Sequence, residues 1–182
     1  MKWGKEKGEG ISKGGISLSL NSYEYLFSDF DPRDYSERTL SEDFIEECRR
    51  GIREKEGRIE LIFLCPKQIR DSKDEMKIKK RLREYFSYNL KKEYNQRKKL
   101  KVEGFFWFLM GSVVMVLATL IENKTNFFLR LLEIMSVPAS WFLFWEGLNK
   151  VFITSRERLP QYNFYKKMAE ANIIFTDYPQ KR

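Results

Sequence analysis

The feature that most constrains this chain is an uncharged run of 17 residues, FFWFLMGSVVMVLATLI, at positions 105–121. The mean hydropathy of the whole chain is −0.54, but this average hides a separation, because most of the remaining chain is densely charged. A helix over such a run measures about 25 Å, close to the roughly 30 Å hydrocarbon core of a bilayer. We therefore predict a first membrane span over residues 104–122.

A second apolar stretch follows at residues 127–148, after the short polar sequence ENKTN. It is less uniformly apolar than the first, since it contains Arg130, Glu133, Pro138 and Glu146. An amphipathic or soluble core helix is the alternative interpretation of this stretch. Two apolar segments joined by a short polar turn favour a transmembrane hairpin, with spans 104–122 and 127–148.

Basic residues predict the orientation of the hairpin. Six lysines and arginines lie within residues 91–103, just before the first span, and Lys150, Arg156, Arg158, Lys166 and Lys167 follow the second span. The turn and the start of the second stretch hold only Lys124 and Arg130. Because lysine and arginine accumulate on the cytoplasmic side of spans, both termini are predicted to be cytoplasmic, in the inner membrane of a prokaryotic cell.

The basic cluster before the first span is predicted to lie at the anionic headgroups of the lipid bilayer. Its members are Lys91, Lys92, Arg97, Lys98, Lys99 and Lys101. Nucleic acid is the alternative ligand, with Tyr94 stacking on a base, and it is the less favoured one because the cluster abuts a span.

The sequence ASWFLFWEGLNK marks the predicted cytoplasmic end of the second span. Trp141 and Trp145 are typical of the aromatic belt at a membrane boundary. Glu146 is predicted to lie at headgroup depth, with Lys150 four residues later as its partner.

Outside the hairpin, the pattern indicates a small cytoplasmic α/β domain of about three strands. Strands are predicted at residues 16–20, 58–64 and 172–178, with the second one central and the last one returning to pair with the others in parallel. Capping-box patterns at Thr39/Glu42 and Ser72/Glu75 predict two helix starts, and Pro160 predicts a third.

These elements divide the chain into four predicted parts. Residues 1–15, rich in glycine and lysine, form a flexible tail. Residues 16–103 form the cytoplasmic α/β part and a juxtamembrane helix, 104–148 form the hairpin, and 149–182 form a cytoplasmic helix and the returning strand.

The composition excludes several classes of site. Histidine is absent, so His-based catalytic triads and His-ligated metals cannot be built. Cys48 and Cys65 form no CxxC pair, and no phosphate-binding glycine loop is present. We predict neither catalytic residues nor a cofactor, and both cysteines are predicted to be reduced.

The sequence SDFDPRDY contains Asp29, Asp31 and Arg33 and is a possible interaction loop. Its carboxylates could hold Mg²⁺ or Ca²⁺. The favoured interpretation is an Asx turn at Asp31 with Arg33 neutralising a neighbour, and with Phe27 and Phe30 plugging the loop onto the sheet.

Three short motifs carry a resemblance: Phe30-Asp31-Pro32, Arg38-Thr39-Leu40-Ser41 and Trp145-Glu146. With them, the chain after its N-terminal tail resembles a family of uncharacterised prokaryotic membrane proteins with two spans. This resemblance implies the same architecture and no activity, and the segment FITSRERLP departs from the family pattern.

Small residues recur in both spans, as Gly104, Gly111 and Ala118 in the first and Ser136, Ser140 and Gly147 in the second. They allow close helix packing, either within the hairpin or between copies in a homo-oligomer. The predicted function is a two-span membrane protein whose cytoplasmic domain acts as an interaction or assembly module for an unknown protein partner. The alternative is an oligomeric membrane effector or small channel.

Overall fold

The computed structural model describes residues 15–53, 55, 57, 59–121 and 126–178. The protein is mostly helical, with one small sheet. Its main elements are β1 (Gly15–Ser19), α1 (Glu42–Ile52), β2 (Glu60–Cys65), α2 (Ser72–Ile121), α3 (Phe127–Leu148), α4 (Ser155–Glu157), α5 (Leu159–Ala169) and β3 (Asn172–Asp177). The chain forms two compact units: a sheet unit, made of the chain up to Leu90 and from Asn163 onward, and a hairpin unit, Lys91–Tyr162.

The sheet has three parallel strands in the order β1-β2-β3. Ile16, Leu61 and Ile173 share one register row across it. The prediction of three strands, with the second one central and the C-terminal one returning, is confirmed. Each strand is shifted or shortened by one or two residues relative to the predicted bounds, and the predicted flexible tail lies outside the described residues except for Gly15, which begins β1.

One face of the sheet carries the core. Along β2, Leu61, Phe63 and Cys65 are buried, whereas the residues between them are half-buried. The rings of Phe44 from α1 and Phe175 from β3 lie 6.0 and 4.9 Å from that of Phe63. The helices complete this core with Cys48, Ile78, Leu82, Phe86, Phe164 and Met168. Alternation of buried and half-buried residues is what a sheet covered on one face produces.

Neither predicted capping box caps its helix. Helix α1 begins at Glu42, after Ser41, because the backbone N–H of Thr39 donates to Asp31 (2.8 Å). At the start of α2, Asp71 accepts the backbone N–H of Lys73 (2.7 Å) and so performs the capping role predicted for Ser72. Glu75 is buried instead of reaching back to a backbone donor.

Two helices are long and apolar enough to cross a membrane, Ser72–Leu120 and Phe127–Glu157. Helix α2 is continuous from Ser72 to Ile121. After α3, which contains Pro138, a π-helical turn at Asn149–Thr154 leads into α4. The helical conformation therefore continues nine residues past the predicted end of the second span.

Arg70 fastens β3 to the start of α2. Its guanidinium donates to both carboxylate oxygens of Glu75 (2.8 and 3.2 Å), to Asp177 (2.9 Å) and to the carbonyl of Phe175 (3.3 Å). The hydroxyl of Tyr23 donates to the same Glu75 carboxylate (3.1 Å). Burial is the main reason that the pKa of Tyr23 is raised to about 12, so this hydroxyl keeps its proton at alkaline pH values where an ordinary tyrosine would lose it.

We expect Arg70→Met to lower the free energy of unfolding by about 2–3 kcal/mol, because it leaves the buried Glu75 without its charged donor. The thermal melting of the full-length protein in detergent would measure this. Arg50→Met is the matched control, since Arg50 pairs only with exposed carboxylates of its own helix and should cost at most about 0.5 kcal/mol. Equal losses for the two variants would contradict the fastening role of Arg70.

Candidate functional sites

The loop at residues 28–35, called the FDP loop below, is pinned at its base. Phe27 is buried and its ring stacks on Tyr35 with centroids 5.3 Å apart. The backbone N–H of Ser28 donates to the carbonyl of Thr39 (2.9 Å). Phe27 also pairs with Leu40 in an isolated antiparallel bridge. The loop therefore starts and ends on fixed backbone.

Asp31 organises the interior of the FDP loop. Its carboxylate accepts the backbone N–H of Arg33 (3.2 Å), the guanidinium of Arg33 (2.8 and 2.7 Å) and the backbone N–H of Thr39 (2.8 Å). These bonds, that from the Arg33 side chain above all, hold the pKa of Asp31 well below its usual range. The arrangement is the predicted Asx turn, and both carboxylate oxygens are occupied by donors of the chain itself.

The other two aspartates of the FDP loop have different surroundings. Asp34 accepts from Lys77 (2.9 Å) and from Ser36 (2.7 Å), and these bonds lower its pKa to about 2. Asp29 makes neither a hydrogen bond nor an ion pair within the described part of the chain. Over the same residues, no group of three acidic or cysteine side chains is placed to hold a metal ion. The three aspartates thus do not share one centre.

Phe30 corrects the prediction that two phenylalanines plug the FDP loop onto the sheet. Phe27 is 2% exposed, but Phe30 is 97% exposed. The turn closed by Asp31 and Arg33 directs Phe30 outward, and Phe27 alone anchors the loop. The sequence gives one signal for this difference: Phe30 lies inside the turn motif, whereas Phe27 precedes it.

In the hairpin unit, glycines let α2 and α3 touch. A Cβ on Gly111 would lie 2.6 Å from the backbone nitrogen of Phe144, and one on Gly147 would lie 2.5 Å from that of Phe108. A Cβ on Gly104 would lie 2.8 Å from the backbone oxygen of Gly147. Backbone contacts this short require residues without a side chain. The small residues are therefore used within the hairpin itself.

A charged cluster closes the base of the hairpin. Lys150 lies 3.7 Å from Glu103 and 3.8 Å from Glu146, the partner that the i,i+4 spacing predicts. Its ammonium group also lies over the ring of Trp107, 5.7 Å from the centroid. Sequence reasoning missed Glu103, because its contact with Lys150 depends on the register of the two helices. The cluster joins the two helices at the base of the hairpin.

A second set of polar contacts joins α2 to the chain around α4. Glu93 is buried and lies 3.5 Å from Arg158, which also donates to Gln96. The guanidinium of Arg97 lies over the ring of Tyr162, 5.0 Å from its centroid, and bonds the carbonyl of Ser155 (3.4 Å). Arg97 thus has partners within the protein.

The remaining predicted interface residues face outward. The five exposed lysines of the basic cluster are Lys91, Lys92, Lys98, Lys99 and Lys101. Trp141 and Trp145 are both about 60% exposed, and their rings stack at 6.5 Å. The chain therefore presents a basic surface on α2 and an aromatic one on α3.

Asp31→Asn should make the protein less stable at neutral pH, and this loss should shrink as the pH falls below about 4 toward the low pKa that Asp31 has in the folded protein. A carboxylate whose pKa is lower in the folded state than in the unfolded state stabilises the fold above its unfolded pKa, near 3.9, and loses that contribution as the pH falls. Melting temperatures of the full-length protein from about pH 1.5 to pH 8 would show the difference. Asp29→Asn is the control from the same loop, and a similar pH-dependent loss in it would contradict the role of Asp31.

In comparisons with known proteins, no family model, no curated protein and no solved structure matches this chain.

Proposed function

We propose that the protein is an integral membrane protein with two spans, whose sheet unit is a cytoplasmic module that binds a protein partner. Membrane insertion is supported by the exposed apolar surfaces of two helices, α2 from Val102 onward and α3. Only 17% of the most apolar window of α2 is buried, and only 6% of that of the second helix. An apolar surface of this extent is unstable in water and is typical of a membrane or partner interface.

The hydroxyl groups within the hairpin support lipid rather than a water-filled path around it. Ser112, Thr119, Ser136 and Ser140 each donate to a carbonyl of their own helix, at 2.7 to 2.9 Å. These bonds satisfy the hydroxyls locally. A channel needs a continuous polar face along its helices. This arrangement therefore favours a membrane-anchored binding module over the alternative of a small channel.

The orientation follows from the five exposed lysines before the first apolar segment. On α2 these lysines directly precede an exposed apolar surface. That surface begins with Val102, Phe105 and Phe106, each of which is about 60% exposed. Lysines beside an apolar span stay on the cytoplasmic side and attract anionic headgroups. We therefore propose that both termini lie in the cytoplasm.

The FDP loop is the proposed contact for the partner. Phe30 is a large apolar side chain in full solvent, on a backbone held by the four hydrogen bonds to Asp31. Aromatic anchors on preorganised segments dominate the energetics of many protein interfaces. Asp29 and Arg33, both exposed, flank this anchor. The module is proposed to bind and not to catalyse.

Replacing Lys98, Lys99 and Lys101 together with glutamine should produce a population with inverted orientation, because each lysine contributes on the order of 1 kcal/mol at an anionic surface. A reporter fused to the C-terminus would show it. The matched control replaces Lys67, Lys73 and Lys80, which are also exposed but far from the spans in sequence. Unchanged orientation in the first variant would contradict the role of the cluster.

A photo-crosslinking amino acid at position 30 should give an adduct of discrete mass in growing cells. The same substitution at position 88 is the control, since Tyr88 is 68% exposed on α2 and lies outside the FDP loop. Adding Asp31→Ala should reduce the adduct at position 30 several-fold, because the loop loses the bonds that present the side chain. Equal adducts at positions 30 and 88 would show that the FDP loop is not the contact.

A further inference from the structure

A shallow apolar groove runs along the outer surface where α3 passes into the π-helical turn. It is lined by Trp145, Leu148, Asn149, Phe152 and Ile153, and its volume is about 220 Å³. Pockets for drug-sized ligands occupy roughly 300–1,000 Å³, so this groove suits a segment of a chain rather than a whole small molecule. Phe152 and Ile153 remain more than half exposed.

The groove lies at the level where the other helix of the hairpin becomes basic. Gly104 of α2 is next to Gly147 and Val151, and Arg97 reaches the carbonyl of Ser155. Since the helices are antiparallel, Phe152 and Ile153 lie at the level of residues 98–101, where α2 presents Lys98, Lys99 and Lys101. Aromatic and aliphatic side chains of one helix thus lie level with lysines of the other. This combination of residues is typical of the headgroup region of a bilayer.

Arg156 is the first basic residue after the segment that lines the groove. It follows Phe152 by four residues and Ile153 by three, which places it about one turn further on the same side of the helix. Its side chain is exposed, and within the described residues it has no hydrogen-bond or ion-pair partner. By contrast, Lys150 and Arg158 nearby are paired with carboxylates.

We propose that this groove binds one acyl chain of an anionic phospholipid, with the lipid phosphate at Arg156. The inference rests on the proposed membrane insertion and adds to it a defined lipid site. The apolar lining continues the exposed surface of the span formed by Trp141 and Trp145, so a bilayer lipid can enter sideways. An unpaired guanidinium next to an apolar slot complements a phosphate attached to a hydrocarbon chain.

The full-length protein, reconstituted in bilayers of equal phosphatidylglycerol and phosphatidylcholine, provides the test. After mild detergent extraction, native mass spectrometry counts each lipid that remains bound. We expect phosphatidylglycerol to predominate in the wild type and its excess to fall about fivefold in Arg156→Gln. Phe152→Ala should reduce the binding of both lipids, because it shortens the groove.

Two variants serve as matched controls. Arg130→Gln removes an exposed arginine near the start of α3, and Phe142→Ala removes an exposed span aromatic outside the groove; both should retain the wild-type ratio. An unchanged ratio in Arg156→Gln, or an equal fall in Arg130→Gln, would overturn the site. Flotation of the protein with the vesicles distinguishes failure of the lipid site from failure of the proposed function. If the wild-type protein does not float, membrane insertion itself is refuted. If it floats but does not prefer phosphatidylglycerol, only the lipid site in the groove is refuted.

Discussion

The pairing of β2 with β3 is the interaction on which the rest of this structure depends. Parallel strands need a crossover connection, and here residues 66–171 form it, with both long apolar helices inside. The register from Glu60–Asn172 to Cys65–Asp177 joins the two ends of that connection. If the apolar helices cross a membrane, they must therefore cross as a pair, because a single crossing would separate β3 from its partner strand.

The same requirement explains the charges at the base of the hairpin. A connection that leaves and returns to one sheet needs its two helices held in a fixed register. Gly104, Gly111 and Gly147 allow backbone contact along the apolar part, but such contacts are not directional. Lys150 between Glu103 and Glu146 adds contacts that favour one register. This division of roles suits lipid, where burial of apolar surface does not drive helices together.

Local patterns in the sequence were enough to predict much of the fold. The run at 105–121 and the apolar residues in NIIFTDY are properties of neighbouring residues, and the structure has a helix over the first and a strand over the second. The helix caps were not predictable in the same way, because Thr39 is engaged by Asp31 eight residues earlier, and Glu75 by Arg70 and Tyr23. Those competing partners meet only in the folded chain. The Arg158–Glu93 contact was missed for the same reason, and the resemblance to uncharacterised two-span membrane proteins stays a prediction.

The exposure of Phe30 is the feature of the FDP loop that the sequence did not predict. An aromatic residue beside a sheet is usually buried, since burial of a phenylalanine stabilises a fold by about 1.5–3 kcal/mol. Here that gain is absent, although Asp31 fixes the backbone on both sides of the turn. The bonds of Asp31 stabilise the fold, but they do not explain why the ring of Phe30 is left in solvent. The ring acquires a physical role when a second apolar surface covers it, which is the reason for the proposal that the FDP loop binds a partner.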